Sequence, residues 1–316
     1  MNIGELLRSF PELTVTGVTQ GAIYALVALG YTLVYGVLRL INFAHSEVFM
    51  VGTFAALFTW GLFGLDSNTE RPSIGVALLA ILAAIVVAAV TSAAVALLIE
   101  VTAYRPLRHR NAPPLAFLIT AIGASFVLME VAGSLTVRRP FGVPALLPSK
   151  PLFDIGGWAV TPTQVTTVVV AIAMLVGLDY FVQKTRAGRG IRAVAQDPNT
   201  AALMGVNKSR VIALVFILGG LMAGVAAVFN DIKTGSTKFN VGFLLGLKAF
   251  SAAVLGGIGN LRGAALGGLL LGLIENYASA LFGSNWRDFV AFVALIALLM
   301  FRPTGLLGES LGRARA

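Results

Sequence analysis

Few residues in this 316-residue chain could do chemistry, and their spacing points away from catalysis. The two histidines, His45 and His109, lie far apart, and neither belongs to an HExxH pattern that would set two imidazoles on one helix face around a metal. No GxSxG nucleophile turn and no paired carboxylates surround them. The nearest approach to a phosphate-binding loop, KTGSTK at 233–238, lacks the spacing of a Walker A sequence. With no cysteine, thiolate metal sites and disulfides are excluded. The expectation is a chain with no catalytic residues, no metal site and no cofactor of its own.

The polar residues that do stand out are embedded in apolar sequence. INFAHSE at 41–47 carries Asn42, His45 and Glu47 where one apolar run gives way to the next. Glu130 and the pair Glu275-Asn276 lie deeper in such runs. Ionisable groups are expensive in hydrocarbon, so they face a cavity, a partner or an interface. For 41–47 the choice is between residues that line or gate a path and an interfacial turn that satisfies helix ends. For Glu130, Glu275 and Asn276 it is between a path or gate and structural pairing with Lys248, Arg138 or a neighbouring subunit.

The elements around these residues follow from composition. The chain is 57% hydrophobic and 12% charged, with a mean hydropathy of +0.88. No soluble domain hides that much apolar surface, so the sequence predicts an all-α, polytopic membrane bundle forming one domain over residues 1–316. At about 20 residues per span, eight or nine spans fit. The formal charge of +9 would suggest nucleic acid in a soluble protein; here the loops account for it, and no nucleic-acid partner is expected. The first residues carry Glu5 and Glu12 with no basic start, unlike a cleavable signal peptide.

Spans are expected at about 14–36, from after 47 to 63, 73–99, 115–135, 162–182, 211–230, 241–255 and 263–281, with a short apolar run at 289–301. The 27 residues of 73–99 exceed a perpendicular crossing and imply tilt or a projecting end. Gly17 and Gly21, Gly220 and Gly224, and Gly263 and Gly267 are small-xxx-small pairs suited to close helix packing. If 100–114, 183–210 and 302–316 face the cytoplasm, they hold 12 of the 23 Lys and Arg residues. Nine spans then put the N-terminus outside and the C-terminus inside.

The polar insert from Thr185 to Arg210 has structure of its own. It reads as two short helices, with Arg192 to Gln196 forming the end of the first and Arg189 lying before it. Asp197-Pro198 restarts the chain as N-cap and first-turn proline, and a second helix over 199–204 carries Ala201 and Ala202. Gly205 stands at its C′ position. Topogenic charge alone does not call for capped helices. The apolar face of the second, with Ala201, Ala202, Leu203 and Met204, suits a partner's groove.

Four stretches, GAIYALVALGYTLVYGVLRLINFAHSEVFMVG (21–52), RAGRGIRAVAQDPNTAALMGVN (186–207), AAVLGGIGNLRGAALGGLLLGLIE (252–275) and RPTGLLG (302–308), resemble the LivH-type permease of branched-chain amino-acid ABC importers. The likeness spans about residues 14–308 with the motifs in the same order. Urea and short-chain amide permeases share much of the pattern. Ser46 stands where that family usually has glycine, and Arg262 at or near a common proline. The insert also lacks the full Glu-Ala-Ala motif of many other ABC importers.

The resemblance implies a bacterial inner-membrane subunit, paired with a homologous second permease, two cytoplasmic ATPases that use ATP and Mg, and a periplasmic binding protein delivering leucine, isoleucine or valine. By that analogy Arg189, Arg192, Asp197, Pro198, Ala201, Ala202 and Gly205 form the ATPase-coupling loop. A stand-alone channel or ion-coupled carrier is the alternative from another class.

Overall fold

The computed structural model describes residues 9–148, 150–155 and 158–308. Glu5, Arg8, Arg313 and Arg315 lie outside these. The bundle is built on α1 (Phe10–Leu38), whose residues from Gly21 to Val34 are all buried. It is followed by α2 (His45–Leu62) and α3 (Ile74–Ile99). After α3 the chain stays helical through a π turn at Glu100–Tyr104 into α4 (Arg105–His109). Then come α5 (Pro114–Leu135), α6 (Pro162–Lys184), α7 (Arg186–Gln196), α8 (Pro198–Leu203), α9 (Lys208–Thr234), α10 (Val241–Gly256), α11 (Leu261–Phe282) and α12 (Arg287–Phe301).

Among the described residues seven helices are long and apolar enough to cross a membrane: α1, α3 with its continuation to His109, α5, α6, α9, α11, and α12 with the turn before it. The helices α2 and α10 are the other two of the bundle, one more polar and one only 16 residues long. The composition-based count of eight or nine therefore depends on what these two do.

Glu100–His109 is helical where the sequence suggested a loop. The cause is electrostatic. Glu100 is fully buried, and Arg105 Nη2 and Arg108 Nη2 reach its two oxygens at 2.8 and 2.9 Å. A π turn sets those guanidiniums on the carboxylate, so charges that look like loop chemistry close on one another within a helix. The fold also contains short strands. β1 (Phe141–Gly142) pairs antiparallel with β4 (Ser236–Thr237), and β2 (Phe153–Ile155) with β3 (Trp158–Val160). They occupy the long 136–161 connection and the approach to α10.

α1 packs most extensively on α11 and α9, and α9 packs along α3. The glycine pairs stand at these crossings. A Cβ at Gly272 would be 2.3 Å from Gly21 N, and one at Gly21 would be 2.7 Å from Leu269 Cα. A Cβ on Gly17 would come within 3.1 Å of Leu273 Cα. Gly220 and Gly224 lie against the Ala93 and Ala88 backbone of α3, while Gly263 and Gly267 lie against Gly256 and Ala252 of α10. Small residues let these backbones touch.

The outer faces of α3, α5, α6 and α12 are apolar and exposed, for example Leu82, Val127, Ile172 and Ile296. A soluble protein would bury them. A bilayer or a neighbouring membrane subunit covers such faces at no hydrophobic cost.

Candidate functional site

Two places in the bundle use polar residues against the apolar background. The first is the break between α1 and α2. Arg39, with φ 54°, ends α1 in the left-handed region, and its N–H bonds Tyr35 O. The chain then turns back into the bundle rather than away from it. The His45 imidazole lies beside Gly30, where a Cβ would stand 2.2 Å from Nε2, and its ring is 4.9 Å from that of Tyr31. Gly30 is eight residues before the end of α1, or about 12 Å at 1.5 Å per residue. So α2 begins inside the bundle.

Asn42, His45 and Glu47 are all buried here. Tyr104 Oη donates to Asn42 Oδ1 at 3.1 Å, tying the break to the π turn. Glu47 Oε1 is 3.4 Å from both Ser46 Oγ and Ser125 Oγ. Gly242 and Gly246 of α10 press on the same place, with Cβ positions 2.9 Å from Glu47 Oε2 and 2.2 Å from Ser46 Cβ. Three elements thus meet around one carboxylate.

The structure brings Asn42, His45 and Glu47 together and leaves the other three candidates elsewhere. Glu130 is half exposed on α5 and pairs with Arg138 at 2.6 Å. Asn276 Nδ2 donates to Gly272 O one turn back on its own helix. Glu275 is fully buried in an ion-pair network joining α1, α10, α11 and α12. Tyr24 Oη donates to Oε2 at 2.8 Å, and Arg287 Nη2 lies 2.9 Å from the same oxygen. Lys248 Nζ is 3.1 Å from Oε1 and 2.6 Å from Asp288 Oδ1.

Removing one partner of a buried pair costs about 3–5 kcal/mol, because the other charge stays behind. Glu275→Gln is therefore expected to lower the melting temperature of the purified protein clearly. Glu275→Met with Lys248→Met should recover part of the loss. Equal melting of Glu275→Gln and the parent protein would remove the network from the list of what holds α12 in place.

The second polar place is the insert. α7 spans Arg186–Gln196, with Ile191 and Val194 buried, and packs on α6, α9 and α1. Gly188 sits under the end of α6, where a Cβ would be 2.2 Å from Val182 O; Arg192 Nη1 donates to that same carbonyl. Arg189 and Arg192 are both exposed, and Arg192 is occupied in closing the α6 end. Asp197 caps α8, accepting from Asn199 N at 2.8 Å and from Thr200 Oγ1. The Thr200 hydrogen bond holds the Asp197 pKa below the ordinary aspartate value, so the cap stays charged until the pH falls through that lowered value.

Pro198 occupies the first helical turn, Ala201 faces inward, and Ala202 is exposed. Gly205 has φ +84° with open space around it. Leu203 and Met204 are 87% and 82% exposed. Of the apolar face expected from Ala201, Ala202, Leu203 and Met204, Ala201 turns inward and the large side chains of Leu203 and Met204 project.

Sequence reasoning also missed Tyr31, Tyr104, Ser125 and Arg287, single polar residues in or beside apolar runs with no local pattern to mark them. The RPTGLLG stretch has a structural role. Leu306 N and Leu307 N donate to Leu255 O and Gly256 O, and Asn260 Nδ2 donates to Leu307 O. These bonds clamp the turn between α10 and α11. Among the described residues no cluster of His, Asp or Glu could hold a metal ion.

An apolar helical bundle with membrane-length helices, a polar helix break inside it and a capped two-helix insert at one end is a multi-pass membrane protein. The chain belongs to the family described as branched-chain amino acid transport system / permease component, whose model matches residues 13–299. It is 42% identical over 301 residues to the high-affinity branched-chain amino acid transport system permease protein BraD of Pseudomonas aeruginosa, covering 93% of this chain and 94% of that one. Against the corresponding LivH of Escherichia coli K12 the identity is 38% over 320 residues, covering 97% and 98%. A probable branched-chain amino acid transport permease of Methanocaldococcus jannaschii is 27% identical over 293 residues.

Proposed function

We propose that this chain is the non-catalytic permease subunit of an ATP-driven importer for leucine, isoleucine and valine, acting in the bacterial inner membrane as a single domain. The observation that carries this reading is the near-full-length likeness to relatives named as high-affinity branched-chain amino acid permeases. The alternative is a urea or short-chain amide permease. A stand-alone carrier fits less well, because Glu275 and Glu130 are both engaged by cations of this chain.

In this reading α2 and α10 are partial crossings that complete nine membrane-embedded helices, with the N-terminus outside and the insert inside. A homologous second permease forms the other half of the path. Two ATPases, which use ATP and Mg, dock on α7 and α8, and a periplasmic binding protein delivers the solute. Closure of the ATPases moves α7, and α7 bears directly on α1, α6 and α9.

The test is a mild-detergent isolation of the chain from native membranes, followed by reconstitution of what co-purifies. Two ATPases and a second permease, with ATP-dependent leucine uptake on adding the binding protein, are expected. A chain that emerges alone from several detergents and takes up leucine without ATP would overturn the reading.

A further inference from the structure

A permease fed by a binding protein need not hold its solute at all. The break between α1 and α2, however, borders a cavity of about 190 Å³. Ile122 and Phe126 of α5 and Phe243 of α10 make its apolar side; Tyr31, Ser46 and Ser125 make its polar side. We infer that this cavity is a subsite for one free α-amino acid with a branched apolar side chain, its ammonium group against Ser46 and Ser125 backed by Glu47, its carboxylate on Tyr31 Oη, and its side chain among Ile122, Phe126 and Phe243. The inference rests on the importer reading above and adds to it the place where the solute pauses.

The polar side is built for a ligand with both charges. Glu47 Oε2 and Tyr31 Oη are buried and have no hydrogen-bond partner among the described residues. Such orphaned groups cost about 1–3 kcal/mol each, so their presence needs a reason. Ser46 Oγ donates to Phe43 O at 2.7 Å, which leaves its lone pairs free to accept from an ammonium. Ser125 Oγ lies 3.4 Å from Glu47 Oε1, so the carboxylate stands directly behind the two hydroxyls. Tyr31 Oη, one proton and no acceptor, suits a carboxylate.

The glycines of α10 make the site possible. A Cβ at Gly246 would be 3.2 Å from Tyr31 Oη, and one at Gly242 would be 2.9 Å from Glu47 Oε2. Their absence lets the α10 backbone lie on the polar floor and carries Phe243, the next residue after Gly242, to the cavity wall. Ile122, Phe126 and Phe243 remain 39, 53 and 47% exposed, so the cavity opens on the outer face of this subunit. A second permease laid on that face would close it.

The chemistry also selects among solutes. Urea and small amides can satisfy the polar floor but leave the apolar wall bare. A large apolar molecule without charge leaves the buried Tyr31 Oη unpaired, which a site with buried polar groups rejects. A branched-chain zwitterion satisfies both sides.

The complete importer in proteoliposomes, with binding protein and ATP, tests this by leucine uptake and ATP hydrolysis. Ser125→Leu fills the cavity and is expected to cut uptake about tenfold or more while binding-protein-stimulated hydrolysis continues. Phe126→Ala, at an exposed position with little bearing on folding, should shift the ratio of leucine to valine uptake at least about threefold. Because this chain has no cysteine, Ile122→Cys gives this subunit a single thiol, whose labelling is read on the separated subunit. Leucine should slow its reaction with a maleimide, and should no longer do so when Glu47→Gln is added to an assembled complex of unchanged melting temperature.

If the unaltered importer takes up no branched-chain amino acid, the functional reading fails and the subsite with it. If it takes up leucine but both cavity variants keep the parent rate and ratio, or urea protects the thiol and leucine does not, the subsite alone is overturned.

Discussion

Leu203→Ser combined with Met204→Ser is expected to leave a stable permease that binds its ATPases poorly and no longer takes up solute. Both side chains project at the C-terminal end of α8 with more than four-fifths of their surface exposed, so the protein alone loses nothing by their removal. Burying one such side chain is worth about 1.5–3 kcal/mol. A docked interface keeps only the surplus over ordering costs, and well-seated anchors cost about 2 kcal/mol or more when truncated. An affinity loss of about thirtyfold or more follows at 1.4 kcal/mol per factor of ten. It is read by titrating the purified ATPases against the permease in nanodiscs.

Gly205→Ile separates docking from transmission. At φ +84° a β-branched residue is strained by about 1–2 kcal/mol, and relief tilts α8 relative to α9 without touching the two anchors. That variant should hold its ATPases while hydrolysis no longer drives uptake. Wild-type ATPase affinity in the double serine variant would move the docking surface off α8.

The architecture was legible where a local rule acts alone. Asp197-Pro198 can only restart a helix, and its cap is made by residues two and three positions on. Gly205 follows for the same reason. Membrane-length runs were legible from hydropathy, because a bilayer demands about 20 apolar residues whatever the tertiary fold. The Glu100–His109 helix was not. Glu, Arg and Arg on a polar stretch have the composition of a loop, and only the π turn that buries Glu100 beneath two guanidiniums makes them a helix.

The candidate site shows the same division. Asn42, His45 and Glu47 were visible because polar groups inside apolar sequence are anomalous. Ser125 and Tyr31 were not, since a hydroxyl is cheap in a membrane helix and its significance comes from a carboxylate 78 positions away in one case. Glu275 was equally ambiguous by sequence. Its engagement by Tyr24, Lys248 and Arg287 is a property of four helices meeting, which no window of sequence contains.

The second large effect is expected at the crossing of α1 and α11. Gly272→Val is predicted to prevent accumulation of folded permease. Its Cβ would lie 2.3 Å from Gly21 N and 2.4 Å from Gly17 O, both backbone atoms that no rotamer change can move. The two helices must separate, and overpacking of even flexible cores costs about 1–3 kcal/mol. The separation does not stop there. Tyr24 and Glu275 lie three residues beyond Gly21 and Gly272 respectively, and their 2.8 Å hydrogen bond spans the same crossing. Parting the helices uncovers a buried carboxylate whose cations, Lys248 and Arg287, come from two further helices. The steric cost is thereby joined by the cost of breaking a buried ion network, and the sum is of the order of a domain's whole stability, about 5–15 kcal/mol. Gly177 on α6 is the control: no atom lies within 4 Å of its Cβ position, and Gly177→Ala should keep or slightly raise stability through helix propensity, by up to about 1 kcal/mol. Yield and thermal unfolding in detergent read both variants. A Gly272→Val permease that melts with the parent protein would mean that α1 and α11 are not in backbone contact in the membrane.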